Sequence, residues 1–249
     1  MAMASSYAPA TRHPWPCLVF LLPLLLAYET GVVFLGGPYP ETIRNGADHW
    51  LRCALGYFGI RFFWVPPVLL VATFLYLTLR NWSNRPADLL NIVSGMVLES
   101  VTFALGLWAL SRLLAPLLVQ AGIDLNMGVT INKVPWLSVS DPALKQLITY
   151  IGAGIYEEAV FRLVLFSFLA AGLQKLDVSR IMAVLVAALG SAILFSTAHH
   201  IGPYGQTYSN YLFMFRLVAG LYFALLFELR GFGIAVGSHA CYNIMVSVG

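Results

Sequence analysis

Long apolar runs separated by polar connections make up most of this chain. A helix needs about 20 apolar residues to cross a hydrocarbon layer of about 30 Å, and several runs reach or approach that length. The seven runs cover residues 17–36, 62–79, 89–118, 144–173, 181–198, 211–229 and 232–248. A continuous apolar run predicts a helix, because a helix satisfies its backbone hydrogen bonds within one segment. We therefore expect an all-α, polytopic membrane helix bundle of about seven (six to eight) transmembrane helices.

One polar connection is longer than the others and divides the chain into two predicted parts. Residues 122–142 are rich in Asp, Asn, Gly and Ser, which are residue types typical of loops. Residues 1–143 would form N-terminal membrane helices of unknown role. Residues 144–249 would form a second group of helices, and this group carries most of the unusual polar residues.

The composition agrees with a membrane protein and disfavours other classes. Hydrophobic residues make up 59% of the chain and charged residues only 10%, whereas a soluble domain is roughly 45–50% apolar and about 25% charged. The net charge of +3 includes no basic block, so nucleic acid is not expected as a partner. We expect an integral, multi-pass protein in the cytoplasmic membrane of a prokaryote, with membrane lipid as a partner.

Ionisable side chains inside the apolar runs need either a partner or a function, because each costs about 2.5–3.5 kcal/mol in a membrane helix. Glu29 and Glu99 are single carboxylates with no partner nearby in the sequence. For both, pairing between helices is favoured over catalysis. Further ionisable residues inside the runs or at their ends lie in the second part of the chain: Glu157, Glu158, Arg162, His199, His200, Arg216 and His239.

The first polar group in the second part is Glu157-Glu158 followed by Arg162. On a helix, Glu158 and Arg162 are four residues apart with the acid first, which is the favourable order for an ion pair. Glu157 lies about 140° from Arg162 around the same helix, so the arginine does not readily pair with both acids. Glu157 would remain an unpaired, desolvated carboxylate, as a general base requires. A buried charge cluster that only ties helices together is the alternative.

Two further polar groups contain histidine. His199 ends the run 181–198, four residues after Phe195, and such a histidine could hold water or a metal, or only cap a helix. His239 and Asn243 are also four residues apart, so they share one helix face. Their N–H groups suit stabilisation of an oxyanion, and an interhelical hydrogen-bond clip is the alternative. Together the three groups supply a base, a water-holding residue and oxyanion donors.

The three groups resemble the motifs of the CPBP family of intramembrane proteases, which includes CAAX prenyl endopeptidases and bacteriocin-processing or immunity proteins. The family pattern is EExxxR, then FxxxH, then HxxxN, on separate membrane helices. It is met in that order by Glu157-Glu158 with Arg162, by Phe195 with His199, and by His239 with Asn243. The resemblance covers about residues 144–246 and implies an all-helical membrane fold, often with eight helices.

The resemblance also implies a role for each matched residue. Glu157 would be the base that activates water, and His199 would help to hold that water. His239 and Asn243 would polarise the scissile carbonyl and stabilise the oxyanion. Three further matched residues would support these four by orienting or packing: Glu158, Arg162 and Phe195. His200 has no assigned role.

Two modes of water activation remain open for these residues. If zinc took part, its ligands would be Glu157, His199 and His239, which are residue types that bind zinc. However, the chain has no HExxH motif, and Asn243 would be a poor zinc ligand. We therefore favour direct activation of water by glutamate, without a cofactor.

The residues and the resemblance together predict an intramembrane endopeptidase that hydrolyses a peptide bond near a membrane-embedded or lipid-modified end. Its substrate would be a peptide or a lipid-modified protein. The alternative is a non-catalytic membrane scaffold, an immunity factor or a small transporter, in which the same polar groups line a cavity or clip helices together. No internal inverted repeat is visible in the sequence, which disfavours a coupled carrier.

Overall fold

The computed structural model describes residues 2–125, 141–202 and 205–248, and every regular element in these ranges is helical. The α-helices of this part of the chain are α1 (Ala2–Thr11), α2 (Pro14–Gly36), α3 (Gly46–Tyr57), α4 (Val65–Arg80), α5 (Leu89–Gln120), α6 (Asp141–Glu158), α7 (Ser167–Lys175), α8 (Arg180–Ala198), α9 (Asn210–Arg230) and α10 (Phe232–Val248). A π-helical segment, Ala159–Phe166, joins α6 to α7, and short 3-10 helices cover Pro40–Thr42 and Trp82–Asn84. The all-α prediction is therefore confirmed.

Each of the seven predicted apolar runs corresponds to helix in the structure. Four helices are long and apolar enough to cross a membrane, namely α2, α5, α8 and α9, and α4 is a shorter apolar helix. The predicted run 144–173 forms α6, the π-helical segment and most of α7. The protein is therefore an integral membrane protein with a helical bundle. Most of the predicted polar connection, residues 126–140, lies outside the described residues, and the division of the chain at residue 143 stays a prediction.

Local sequence features explain where several helices begin and end. Asn45 precedes α3, and its side chain accepts a hydrogen bond from the backbone N–H of Asp48 at 2.9 Å, as N-cap residues do. Ser179 caps α8 in the same way through the N–H of Met182. Gly231 separates α9 from α10 with a φ of 95°, a left-handed conformation that glycine adopts without strain. This turn brings α10 back against α9.

Helix α10 is central to the packing and lies against α2, α5, α6 and α9. Small residues allow the closest approaches, as is common between membrane helices. A Cβ atom at Gly154 of α6 would lie 2.8 Å from the backbone oxygen of Val236 in α10, which is too close. Similarly, a Cβ atom at Gly220 of α9 would lie 2.9 Å from the Cα atom of Ala192 in α8. The two glycines thus permit the contacts that hold α6 on α10 and α9 on α8.

A buried group of four charged residues, Glu29, Arg44, Asp48 and Arg52, joins α2 to α3, and we call it the N-terminal ionic cluster. Asp48 is 2.6 Å from a guanidinium nitrogen of Arg44 and 2.7 Å from Arg52 Nε. Glu29 is 3.5 Å from guanidinium nitrogens of the same two arginines. Tyr156 of α6 donates its hydroxyl to Glu29 Oε1 at 2.6 Å, so the cluster also holds α6.

Glu99 has a partner on another helix as well. Arg230, at the end of α9, places a guanidinium nitrogen 2.6 Å from Glu99 Oε1. The prediction that Glu29 and Glu99 are paired between helices is therefore confirmed. The sequence did not identify Arg230 and Tyr156 as partners, because Arg230 is 131 residues from Glu99 and Tyr156 is 127 residues from Glu29.

Replacement of Tyr156 by phenylalanine tests the link between the N-terminal ionic cluster and α6. We expect Tyr156→Phe to lower the free energy of unfolding by about 1.5–3 kcal/mol, because the variant loses a hydrogen bond to a charged group. Denaturant unfolding of detergent-purified protein measures the change. Tyr57→Phe is the control, since Tyr57 is 91% exposed and its replacement should change stability by less than about 0.5 kcal/mol. Equal stabilities of the two variants would contradict the expected link.

Candidate active site

Three motif residues from three different helices meet around one carboxylate oxygen. Glu157 lies near the end of α6, His199 directly follows α8, and His239 lies within α10. Glu157 Oε2 is 3.7 Å from His199 Nε2 and 3.6 Å from His239 Nε2. The Glu157 side chain is only 13% exposed. A largely desolvated carboxylate therefore faces two imidazole nitrogens.

Glu158 connects the first motif to the third. Its Oε1 atom is 2.8 Å from His239 Nδ1, and its Oε2 atom is 3.2 Å from Arg162 Nε. Glu158 and Arg162 are both fully buried. The guanidinium group also donates to the backbone oxygen of Gly220 at 3.2 Å and lies 4.5 Å from the ring centre of Phe195. The ion pair expected from the spacing is therefore present, and the same acid also holds His239.

The backbone after Glu158 differs from the regular α-helix that the spacing argument assumed. The segment Ala159–Phe166 is π-helical, and the N–H of Ser167 donates to the backbone oxygen of Arg162, five residues earlier. This wide-turned segment packs against α8 and α9. Short π-helical segments occur often at functional sites. The residue spacing alone gives no indication of it.

His199 is oriented by the backbone of the helix that precedes it. Its Nδ1 atom is 2.8 Å from the backbone oxygen of Phe195. Because a carbonyl oxygen only accepts hydrogen bonds, Nδ1 carries the proton, and Nε2 of the neutral ring is an acceptor on the side of Glu157. Burial lowers the pKa of His199 below its ordinary value, although the Glu157 carboxylate acts in the opposite direction. The neutral ring can therefore accept a hydrogen bond from water at neutral pH.

His239 is held by an acid at its edge and by aromatic rings around it. Its Nδ1–H donates to Glu158 Oε1, because an ionised carboxylate only accepts. The ring stacks on Phe223, with centres 4.5 Å apart and 14° between the planes, and Phe195 approaches it edge-on at 6.1 Å. A carboxylate on one ring nitrogen fixes the orientation of the ring. The other ring nitrogen, Nε2, therefore faces Glu157 Oε2 at 3.6 Å.

Asn243 and His200, which were also singled out in the sequence, make none of these contacts. Asn243 is half-buried one turn after His239 on α10, and its side chain makes no hydrogen bond to another described residue. His200 faces the loop that follows it, with Nδ1 3.1 Å from the backbone oxygen of Gln206 and its ring 5.3 Å from that of Tyr208. The contacts thus connect six of the residues singled out from the sequence: Glu157, Glu158, Arg162, Phe195, His199 and His239.

A pocket of about 100 Å³ lies beside Glu157 and His199. Its other lining residues are small or apolar: Gly46, Ala47, Trp50, Phe161, Ala198 and Ile201. An apolar pocket with a few polar groups is typical of a binding site. The first three of these residues belong to α3, a short helix whose sequence carries no motif. Only the folded arrangement reveals their position next to Glu157.

The zinc alternative concerns Glu157, His199 and His239. Both imidazole Nε2 atoms face Glu157 Oε2, at 3.7 and 3.6 Å. In the part of the chain that the structure describes, no group of three or more His, Cys, Asp or Glu side chains is arranged as a metal-binding set. Activation of water by glutamate without a metal stays a prediction.

Comparison with known families agrees with the geometry. Residues 139–245 match the family model described as type II CAAX prenyl endopeptidase Rce1-like. This range contains all three motifs, and the match confirms the resemblance to the CPBP family. The C-terminal part of the chain is thus similar to the type II CAAX prenyl endopeptidases. No curated protein and no solved structure is significantly similar to the chain.

Proposed function

We propose that this protein is an intramembrane endopeptidase that hydrolyses a peptide bond near a membrane-embedded or lipid-modified end of its substrate. The observation that carries the proposal is the position of Glu157 Oε2 between two imidazole nitrogens, His199 Nε2 at 3.7 Å and His239 Nε2 at 3.6 Å. The family match supports the same class of reaction. Its substrate would be a peptide or lipid-modified protein that reaches the site from the membrane.

The attacking nucleophile would be a water molecule between Glu157 and His199. The His199 Nε2 atom would accept one hydrogen bond from the water and orient it. Glu157 would take the other proton as the oxygen attacks the carbonyl carbon of the scissile bond. General-base catalysis of this kind contributes about 10²–10⁴-fold to the rate. The protonated Glu157 would then deliver the proton to the leaving amine, which returns the carboxylate to its starting form.

The negative charge that develops on the carbonyl oxygen would be stabilised from α10. The charged form of His239 can donate Nε2–H to this oxygen while Nδ1–H stays bound to Glu158 at 2.8 Å. The carboxamide of Asn243, one turn further along the same helix, would supply a second donor. Donors that are in place before the reaction are effective because they need no reorganisation as the charge appears.

Replacement of Asn243 tests the second oxyanion donor. We expect Asn243→Ala to lower kcat by about 10²–10³, the effect of losing one such donor, while KM changes little because the donor acts chiefly in the transition state. Hydrolysis of fluorogenic membrane-anchored peptides by detergent-purified protein measures both constants. Asn91→Ala is the control, because Asn91 is an exposed residue of α5 that bonds to Asp88. A loss confined to KM would contradict the oxyanion role.

The proposed mechanism uses no metal, and a chelator tests this directly. We expect the wild-type protein to keep its activity after prolonged treatment with a zinc chelator. Loss of activity that added zinc restores would contradict the proposal, and it would make Glu157, His199 and His239 metal ligands instead. Measuring the zinc content of the purified protein checks that the chelator has reached the site.

A further inference from the structure

The pocket at Glu157 has walls from two distant parts of the chain. One wall contains the acid and the histidine of the proposed mechanism, together with three neighbours: Phe161, Ala198 and Ile201. The other wall comes from the first two turns of α3: Gly46, Ala47 and Trp50. Helix α3 lies outside the region 139–245 that matches the protease family. Three of the eight lining residues therefore come from a part of the chain that the family match does not cover.

The N-terminal ionic cluster holds α3 in this position. Asp48 follows directly after Ala47 and has no exposed side-chain surface. It receives Arg44 at 2.6 Å, Arg52 at 2.7 Å and the hydroxyl of Tyr28 at 2.9 Å. Breaking a buried pair of this kind is costly, because the remaining charge loses its partner. The wall formed by α3 is thus anchored to α2.

The same wall is also tied to α6, which carries Glu157. Thr149 of α6 donates to the backbone oxygen of Ile43 at 3.0 Å, just before α3 begins. On the other side of the pocket, Trp50 approaches the loop after His199, where a Cβ atom at Gly202 would lie 3.6 Å from Trp50 Nε1. The distance between the α3 wall and the proposed catalytic pair is therefore set by contacts on both sides.

We propose that Ala47 and Trp50 set the size of the apolar side chain that the enzyme accepts next to the scissile bond. This inference rests on the proposed function, because it takes Glu157 and His199 as the point where the bond is cut. Apart from these two residues, the pocket offers only small or apolar surface. A substrate side chain seated there brings its own backbone within reach of the catalytic pair. Of the lining residues from α3, the large indole of Trp50 would restrict the space for this side chain, and the small side chain of Ala47 would leave space for it.

Changes of pocket size should therefore change the ranking of substrates. One added or removed methylene group in an apolar pocket changes selectivity by about 10–200-fold. The compared peptides carry phenylalanine or alanine at the position next to the scissile bond. We expect Trp50→Ala to improve the affinity for the phenylalanine peptide at least tenfold relative to the affinity for the alanine peptide. Ala47→Val narrows the pocket and should shift the ranking in the opposite direction.

Binding to the Glu157→Gln protein measures the ranking without hydrolysis. The probes are three dye-labelled, membrane-anchored peptides that differ only in alanine, leucine or phenylalanine at this position, and fluorescence anisotropy in detergent gives the affinities. Two matched controls replace the same residue types at exposed positions, Trp64→Ala and Ala54→Val. Both controls should keep the wild-type ranking. Thermal unfolding of each variant checks that the fold is retained.

An unchanged ranking in Trp50→Ala and Ala47→Val would overturn the inference, as would an equal change for all three peptides or no binding of any peptide. Parallel hydrolysis assays with Glu157 intact keep this result separate from the proposed function. If the wild-type protein cleaves the peptides but the Trp50 and Ala47 variants keep its ranking, the inference about the pocket is wrong and the proposed protease function is retained. If the two variants change the ranking but Glu157→Gln leaves hydrolysis unchanged, the inference about the pocket is retained and the catalytic role of Glu157 is wrong.

Discussion

The Glu157→Gln variant is expected to lose about 10²–10⁴-fold in kcat, because the amide keeps the shape of the carboxylate but does not accept a proton from water. His199 Nε2 and His239 Nε2 lie 3.7 and 3.6 Å from Glu157 Oε2, so both keep a polar neighbour in the variant. We therefore expect the protein to fold and to bind peptide normally. Hydrolysis of fluorogenic membrane-anchored peptides measures kcat, and thermal unfolding in detergent checks the fold.

The matched control for this experiment is Glu228→Gln. Glu228 lies on α9 and pairs with Arg180 at 3.1 Å, away from the site. Its replacement should leave kcat unchanged. If Glu157→Gln hydrolysed the peptides as fast as the wild-type protein, the carboxylate would not be the base. The non-catalytic alternatives, a membrane scaffold or a small transporter, would then be favoured.

The second large effect is expected on stability. Arg162→Ala should lower the free energy of unfolding by about 3–5 kcal/mol, because the fully buried Glu158 loses its guanidinium partner. The variant also loses the contact between the guanidinium group and the ring of Phe195 at 4.5 Å. Denaturant unfolding and the amount of protein recovered from the membrane fraction both report this loss.

Arg180→Ala is the control for that change, since its side chain is 72% exposed and an exposed pair contributes at most about 1 kcal/mol. A double variant, Arg162→Met with Glu158→Gln, removes both charges and fills most of the space. It should recover part of the lost stability, although His239 loses its charged partner and activity should stay low. Wild-type stability of Arg162→Ala would show that the buried pair does not stabilise the fold.

Each of the seven predicted runs lies largely within helix in the structure, although residues 62–64 precede α4. These runs could be predicted because continuous apolar length is a local property that can be read along the chain. The i,i+4 pair of Glu158 and Arg162 could be predicted for the same reason, since both residues lie on one segment. Pairing of Glu29 and Glu99 with other helices was expected from the cost of burying a lone carboxylate. Two of the particular partners, Tyr156 and Arg230, were not expected, because they are more than a hundred residues away along the chain.

The sequence by itself determined the membrane class, the helical segments, the family motifs and the residue types available for catalysis. Only the tertiary structure decided which atoms of those residues face one another. His239 Nδ1 binds Glu158 while Nε2 faces Glu157, and α3 closes the pocket with Ala47 and Trp50. These features depend on how helices pack across the bundle. Hydrogen bonds and ion pairs act over a few ångströms in space, whereas sequence patterns report only neighbours along the chain.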